Sequence, residues 1–249
     1  IRKSTLSLGN LPPGNFLGGK FPRDKVLLRI GKPGRNSMKA VTHNVLVDLE
    51  LRDAISVVTK ALKSRPHIAA FQEFNPDNAM ILKGLKDYAV YTASAKGLPV
   101  LLKKPYVKKV HKVDSLILAK DFPGGRPTPG TEVFFENRFG THVAVLNTHP
   151  MAHHDKPAYR AAFKVAITHI EAWSREAKTL GYIPMVFMDG NGADHLQGLV
   201  SCWDGQPKLP TGPGGETIDG VWTVKKSAVV TTFETLSDHN GVLVKYERF

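Results

Sequence analysis

The sequence predicts a mixed fold of the α/β or α+β class, and three observations carry that prediction. From Ala40 onward, short strand-like apolar runs alternate with stretches of helical periodicity. Four runs far apart in the chain carry polar residues at one end, in Phe71-Gln72-Glu73, Asn147-Thr148-His149-Pro150, Met188-Asp189-Gly190-Asn191 and Ser237-Asp238-His239-Asn240. The composition over 249 residues, 42% apolar and 22% charged, is that of an ordinary globular chain. That length suits one large two-layer domain or two small ones.

Residues 1–38 hold ten glycines and prolines and read as a basic arm or linker, with Val26 to Ile30 as a short strand. Ala40 to Val47 then reads as a buried strand. Leu51, Ile55, Val58 and Leu62 recur at helical spacing until Pro66 closes the helix. Ile68 to Phe71 is a strand leading into Glu73. Asn75-Pro76 has the form of an N-cap and first turn, with Ile81, Leu82 and Leu85 as the apolar stripe that follows. Strands are expected around Tyr88, Val100, Leu116 and Phe134, and from His142 to Leu146 before His149. Pro157 opens the longest helix, whose apolar face runs from Phe163 to Ala177 before Gly181 ends it. Pro184 to Met188 leads to Asp189. A Gly/Pro-rich loop from Gly205 to Gly215 precedes strands at Ile218 to Val224 and Gly241 to Tyr246.

The formal charge of +12 points to a polyanionic partner, since Lys and Arg that bind phosphates release counterions. In residues 1–38 eight basic residues face Asp24 alone, which leaves +5 for the rest of the chain; a solvated tail is the plain alternative for that segment. A second basic cluster, Lys103, Lys104, Lys108, Lys109, His111 and Lys112, surrounds Tyr106, and alternation from Val107 to Val113 puts some of these side chains on one sheet face. The single Cys202 excludes an internal disulfide framework and a multi-cysteine zinc site. No apolar run has membrane-spanning length, and no secretory leader pattern opens the chain, so no membrane insertion is expected; the compartment stays open. The chain begins at Ile1, which suggests a piece of a larger polypeptide joined through the arm, and a monomer is the default expectation.

The order and context of the four polar strand ends resemble the endonuclease/exonuclease/phosphatase superfamily, the DNase I-like and exonuclease III-like group. Thr42-His43-Asn44-Val45 resembles the family's first-strand Asn motif, and Thr217-Ile218-Asp219-Gly220-Val221-Trp222 its late Ile-Asp segment. Gly97 to Lys104 resembles its Gly-led strand after the metal Glu. The resemblance runs from about Met38 to Phe249, so residues 39–249 are expected to be one catalytic domain. It implies a DNase I-like α+β (α/β) sandwich of two packed, mostly antiparallel β-sheets flanked by helices, with the site at one end.

By that resemblance Glu73 is the first metal ligand, with Asn44 beside it as a carbonyl ligand or an orienting group and Asp238 as the second metal-site carboxylate. The ion is expected to be Mg²⁺, with Mn²⁺ as a substitute, because Mg²⁺ takes oxygen ligands and needs only one or two carboxylates. His239 contacts the phosphate or helps activate water, and His149 acts as general acid for the leaving oxygen or as a phosphate contact. Asp189 orients the attacking water and Asn191 donates to a nonbridging oxygen. Asp219 orients His149. Lys103, Lys104, Lys108 and Lys109, with His153 and His154, are expected to line the substrate path.

The sequence departs from the family pattern at Met188 and Gly190, which stand before and after Asp189 where a Gly and a bulky residue are usual, and at His43, which alternation turns away from Asn44 and makes structural. A zinc cluster of His149, His153, His154 and Asp155 is the competing reading, but its spacing matches no zinc signature, and Pro150 and Pro157 oppose a regular helix through all four.

The expected function is a Mg²⁺-dependent deoxyribonuclease with endonuclease or nicking activity. The alternative is a phosphatase or phosphodiesterase of the same superfamily acting on phosphoinositide or phospholipid headgroups. A nucleic-acid-binding module with a decayed site is a third reading, and the complete set of motif residues speaks against it.

Overall fold

The computed structural model describes residues 37–92, 97–120, 127–150, 156–193, 195–247 and 249. In chain order the elements are β1 (Met38–Asn44), α1 (Leu51–Leu62), β2 (Ile68–Gln72), α2 (Ala79–Lys83), β3 (Tyr88–Tyr91), β4 (Val100–Lys103), β5 (Val107–Ala119), β6 (Thr128–Asn137), β7 (His142–Thr148), α3 (Pro157–Thr179), β8 (Ile183–Asp189), β9 (Val200–Ser201), β10 (Asp219–Thr223), β11 (Val229–Phe233) and β12 (Gly241–Tyr246). They form two six-stranded sheets, ordered β11-β12-β1-β2-β4-β3 and β5-β6-β7-β8-β10-β9. This is the expected sandwich. No helix among the described residues is long and apolar enough to cross a membrane.

Each sheet has one parallel pair at its centre, β1 with β2 and β7 with β8, and every other pairing is antiparallel. A parallel pair needs a crossover, and a helix supplies it in both sheets: α1 between β1 and β2, α3 between β7 and β8. The two halves therefore repeat one strand-helix-strand plan. Its consequence is functional, because the C-terminal ends of four central strands lie at the same end of the sandwich.

Period-2 alternation sorts the side chains of those strands. Ala40, Ile68, Val145, Met185 and Phe187 enter the core between the sheets, while Val41, Ala69 and Phe71 pack toward α1 and α2, and Ala144, Leu146, Val186 and Met188 pack toward α3. Continuing the inward series gives Asn44 on β1, Gln72 on β2, Asn147 on β7 and Asp189 on β8, so the apolar core turns polar at this one end. Gln72 Nε2 donates to Asn147 Oδ1 at 2.6 Å, and Asn147 Nδ2 donates to the carbonyls of Phe71 and Pro99 at 2.8 and 3.0 Å. This fully buried bridge joins the two sheets directly beneath the site, and its satisfied donors make burial of two amides affordable.

Two strands escape the sequence reading. β11 is an edge strand whose Val-Val-Thr-Thr-Phe run carries a β-branched signal, and β9 is two residues long. The arm lies outside the described residues except for Ser37 and Met38, and Met38 is part of β1.

Candidate active site

The site is built from the last inward-facing positions of the central strands and the first ones of their antiparallel neighbours. Asn44 ends β1 and Asp189 ends β8, while Glu73 and His149 come one residue after β2 and β7. Asp219 opens β10 directly opposite Asp189, and His239 lies just before β12. Glu73 and Asn191 are held at φ of 51° and 42°, a left-handed backbone that non-glycine residues rarely adopt. Strain of this kind collects where a fold fixes a side chain for function.

Asp189 is the hub. Its Oδ2 accepts from Asn44 Nδ2 at 3.0 Å, lies 3.3 Å from His149 Nε2 and 3.7 Å from His239 Nε2, and its side chain is only 2% exposed. Asn44 Nδ2 donates as well to Glu73 Oε1 at 2.9 Å, and His149 Nδ1 lies 3.4 Å from the same oxygen. The Asn44 oxygen accepts from the Leu46 N–H at 3.0 Å, which leaves the amide nitrogen facing both carboxylates. Asn44 thus bridges the two carboxylates through one amide nitrogen. Ser237 Oγ donates to the Asn44 carbonyl at 2.8 Å and accepts from the His239 N–H, tying the β1 end to the turn that delivers His239.

Asp219 corrects one expectation: its Oδ2 lies 2.8 Å from Nδ1 of His239, not of His149. The antiparallel register that sets Asp219 against Asp189 brings it to the β12 side of the site. Thr211 Oγ1, from the Gly/Pro-rich loop, accepts from the N–H groups of Ile218 and Asp219, both at 2.9 Å, and Trp203 Nε1 donates to the Asp219 carbonyl. No local signal in the sequence marked Thr211 as a support of Asp219.

A second correction concerns Asp238. It is exposed, meets Ser237 Oγ at 3.4 Å, and is absent from the carboxylate and imidazole groups that converge. Residues 236–239 form a run of bends, which turns His239 inward and leaves Asp238 in solvent. Asp189 is the carboxylate that joins Glu73.

The basic cluster is the third correction. β4 runs antiparallel to β2 and the Lys103 N–H meets the His67 carbonyl, so Lys103 and Lys104 lie at the end of the sheet away from Glu73. Thr148 pairs with Gly130 and Gly130 with Leu116. Lys109 is seven residues farther along β5, roughly 23 Å away at about 3.3 Å per residue. Lys108 is paired with Glu136 at 2.8 Å and Lys112 with the buried Glu132. The proposed substrate path along these lysines does not reach the site. His153 and His154 lie outside the described residues, and so does the rest of the alternative zinc cluster beyond His149.

Burial opposes charge on His239, but its bond to Asp219 and the charges of Asp219, Asp189 and Asp238 outweigh it and push its pKa up to about 9. Asp219 is raised to about 6, chiefly by burial and against the pull of the His239 bond. His149 follows the same logic: burial disfavours its charge, and the Asp189 bond with the Asp189 and Glu73 charges raises it nonetheless. Asp189 is buried, yet the two imidazoles hold it below the usual carboxylate range. His43 is the contrast. Fully buried on the other face of β1, with Nε2 2.9 Å from Thr235 Oγ1, it is driven to about 3 by burial and stays neutral, as a structural residue should.

The site floors a cleft of about 470 Å³ whose walls include Thr128, Pro129, Pro150, Asn191, Pro213 and Glu216. Asn191 Nδ2 donates to the Pro150 carbonyl at 2.9 Å and so fixes the loop after β8 against the loop after β7. Donor atoms of Glu73, His149 and Asp189 lie within 4.8 Å of one another. Carboxylate oxygens on a partly exposed Glu73, in a site with three acids, fit a hard divalent ion taking oxygen ligands.

No protein-family model matches the sequence, and no curated protein matches it. Solved structures do. The Danio rerio TDP2 structure complexed with a single-strand DNA product superposes with a TM-score of 0.67 over 84% of this chain and 98% of that one, at 17% identity. An endonuclease/exonuclease/phosphatase family protein from Bacteroides thetaiotaomicron gives 0.66 over 87% and 96%, at 13% identity. ANGEL2, described as a 2′,3′-cyclic phosphatase, gives 0.60 over 86% and 96%, at 12% identity. The likeness is one of fold, and the fold is the one the strand-end motifs imply.

Proposed function

We propose that the chain is a divalent-metal-dependent phosphoester hydrolase, with DNA phosphodiesters as its leading substrate. The observation that carries the hydrolase reading is the convergence of Glu73, His149, Asp189 and His239, from four strands of two sheets, on the floor of one cleft, with Asp219 from a fifth strand bonded behind His239. The +12 charge supports a polyanionic substrate, and a similar fold with a single-strand DNA product bound supports DNA.

Glu73 would hold the ion, with Mg²⁺ preferred and Mn²⁺ able to replace it, and the ion would supply charge neutralisation at the phosphoryl oxygens. The protein's own groups supply the proton chemistry. His239, kept protonated by Asp219 on Nδ1, presents Nε2 as a cationic donor toward a phosphate oxygen. His149 stores the proton that the leaving oxygen needs, and Asp189, ionised and buried, orients the attacking water. Asn191 positions the cleft wall.

The His239–Asp219 pair titrates as a unit, so its apparent values of about 6 and 9 belong to the pair. If imidazolium is the working form, turnover falls as pH rises through about 9, and Asp219→Asn moves that alkaline limb toward the ordinary histidine range. A pH profile of kcat for both proteins checks this. An unmoved limb removes the dyad from the mechanism.

One observation favours a second reading, a small phosphorylated substrate such as a phosphoinositide headgroup: four prolines, Pro127, Pro129, Pro150 and Pro213, wall the cleft and narrow it. Incubating the protein with supercoiled plasmid, single-stranded RNA and a phosphoinositide, each with Mg²⁺, Mn²⁺ or EDTA, separates the two. EDTA-sensitive plasmid nicking supports DNA, and release of phosphate from the lipid alone supports the headgroup reading.

A further inference from the structure

At the end of the sandwich away from the hydrolytic cleft, three strands bring a second group of donor side chains together. Glu136 on β6 lies directly opposite His142 on β7. His111 falls in the register shift of β5 between Val110 and Lys112, an irregularity of the kind that re-aims a side chain. One ring nitrogen of each histidine and a carboxylate oxygen of Glu136 lie within 4.8 Å of one another. Tyr182, just beyond α3, completes the cluster: its Oη is 2.9 Å from His111 Nδ1 and its ring centroid is 5.2 Å from that of His142.

We propose that His111, Glu136 and His142 form a second metal site, for a transition ion of the zinc class, separate from the hydrolytic centre. Two imidazoles and one carboxylate make a nitrogen-rich donor set that suits zinc with water in the remaining position, whereas the oxygen donors at Glu73 suit magnesium. The Tyr182 bond fixes the His111 ring before an ion arrives, the orienting contact that ligating histidines usually have. Glu136 is ionised, and its present partner is Lys108 at 2.8 Å, on a side chain that is 61% exposed. Displacing such a surface pair costs little. An ion here would staple β5, β6, β7 and the segment after α3, and would stabilise the folded chain because the unfolded chain does not hold the three ligands together.

The test uses metal-free full chain carrying Glu73→Gln, so that binding at the hydrolytic centre is weakened and failure there is distinguishable. Co²⁺ is titrated by visible absorption and Zn²⁺ by calorimetry. One equivalent should bind, raise the Tm, and be lost in His111→Ala/His142→Ala. Glu136→Gln, isosteric and partly exposed, gives the same readout should the double histidine variant fail to fold. Lys108→Ala should bind several-fold more tightly, since it removes the competitor for Glu136, and misfolding cannot produce that result. Absence of binding in Glu73→Gln, or an equivalent that survives loss of the histidines or of Glu136, overturns the site.

Discussion

His239→Ala is expected to lower kcat by about 10²–10⁴-fold, the scale for a positioned proton donor, and His149→Ala to do the same. Both rings meet the Asp189 carboxylate, so the two act within one charge network. The double variant should therefore lose far less than the product of the single losses. Steady-state turnover of the four proteins on a nicked-plasmid assay measures both quantities. Multiplicative losses would mean that the rings work independently, and near wild-type turnover in either single variant would take that residue out of the mechanism.

Asp189→Asn has the second-largest expected effect. The substitution keeps the shape and the hydrogen bond from Asn44, with the amide oxygen as acceptor, but removes the charge that raises both imidazoles. Turnover should fall about 10²–10³-fold, as when a preorganised electrostatic partner is removed. The surviving activity should have its alkaline limb at lower pH, because both histidines then lose their protons more easily. A fall in kcat with an unmoved limb would assign Asp189 to water alone.

Much of this site was legible in the sequence because strand alternation is local. Phe71-Gln72-Glu73 and Met188-Asp189 announce both the strand and its last inward residue, and the same rule marks His43 as structural. What was not legible depends on pairing between distant segments. Asp219 finds His239 because β10 lies antiparallel to β8, and nothing within Thr217 to Trp222 encodes that neighbour. Lys103 to Lys109 follow a family-like strand closely in sequence, yet strand direction carries them to the far end of the sandwich. Asp238 was misplaced for a nearer reason: residues 236–239 form bends, and strand periodicity does not say which of two neighbours a bend turns inward. The repeated plan of the two sheets, with one helix-linked parallel pair at each centre, emerges only from the strand order.

The central claim is that Glu73 anchors an ion on which phosphoester hydrolysis depends. Its most direct test is relaxation of supercoiled plasmid by wild-type protein and by Glu73→Gln, in Mg²⁺ and in EDTA, with circular dichroism to show that both are folded. The account predicts nicking by wild type in Mg²⁺, its loss in EDTA, and loss of at least about a hundredfold in Glu73→Gln even with Mg²⁺. Equal nicking by the two folded proteins, or nicking by wild type that persists in EDTA, would contradict it.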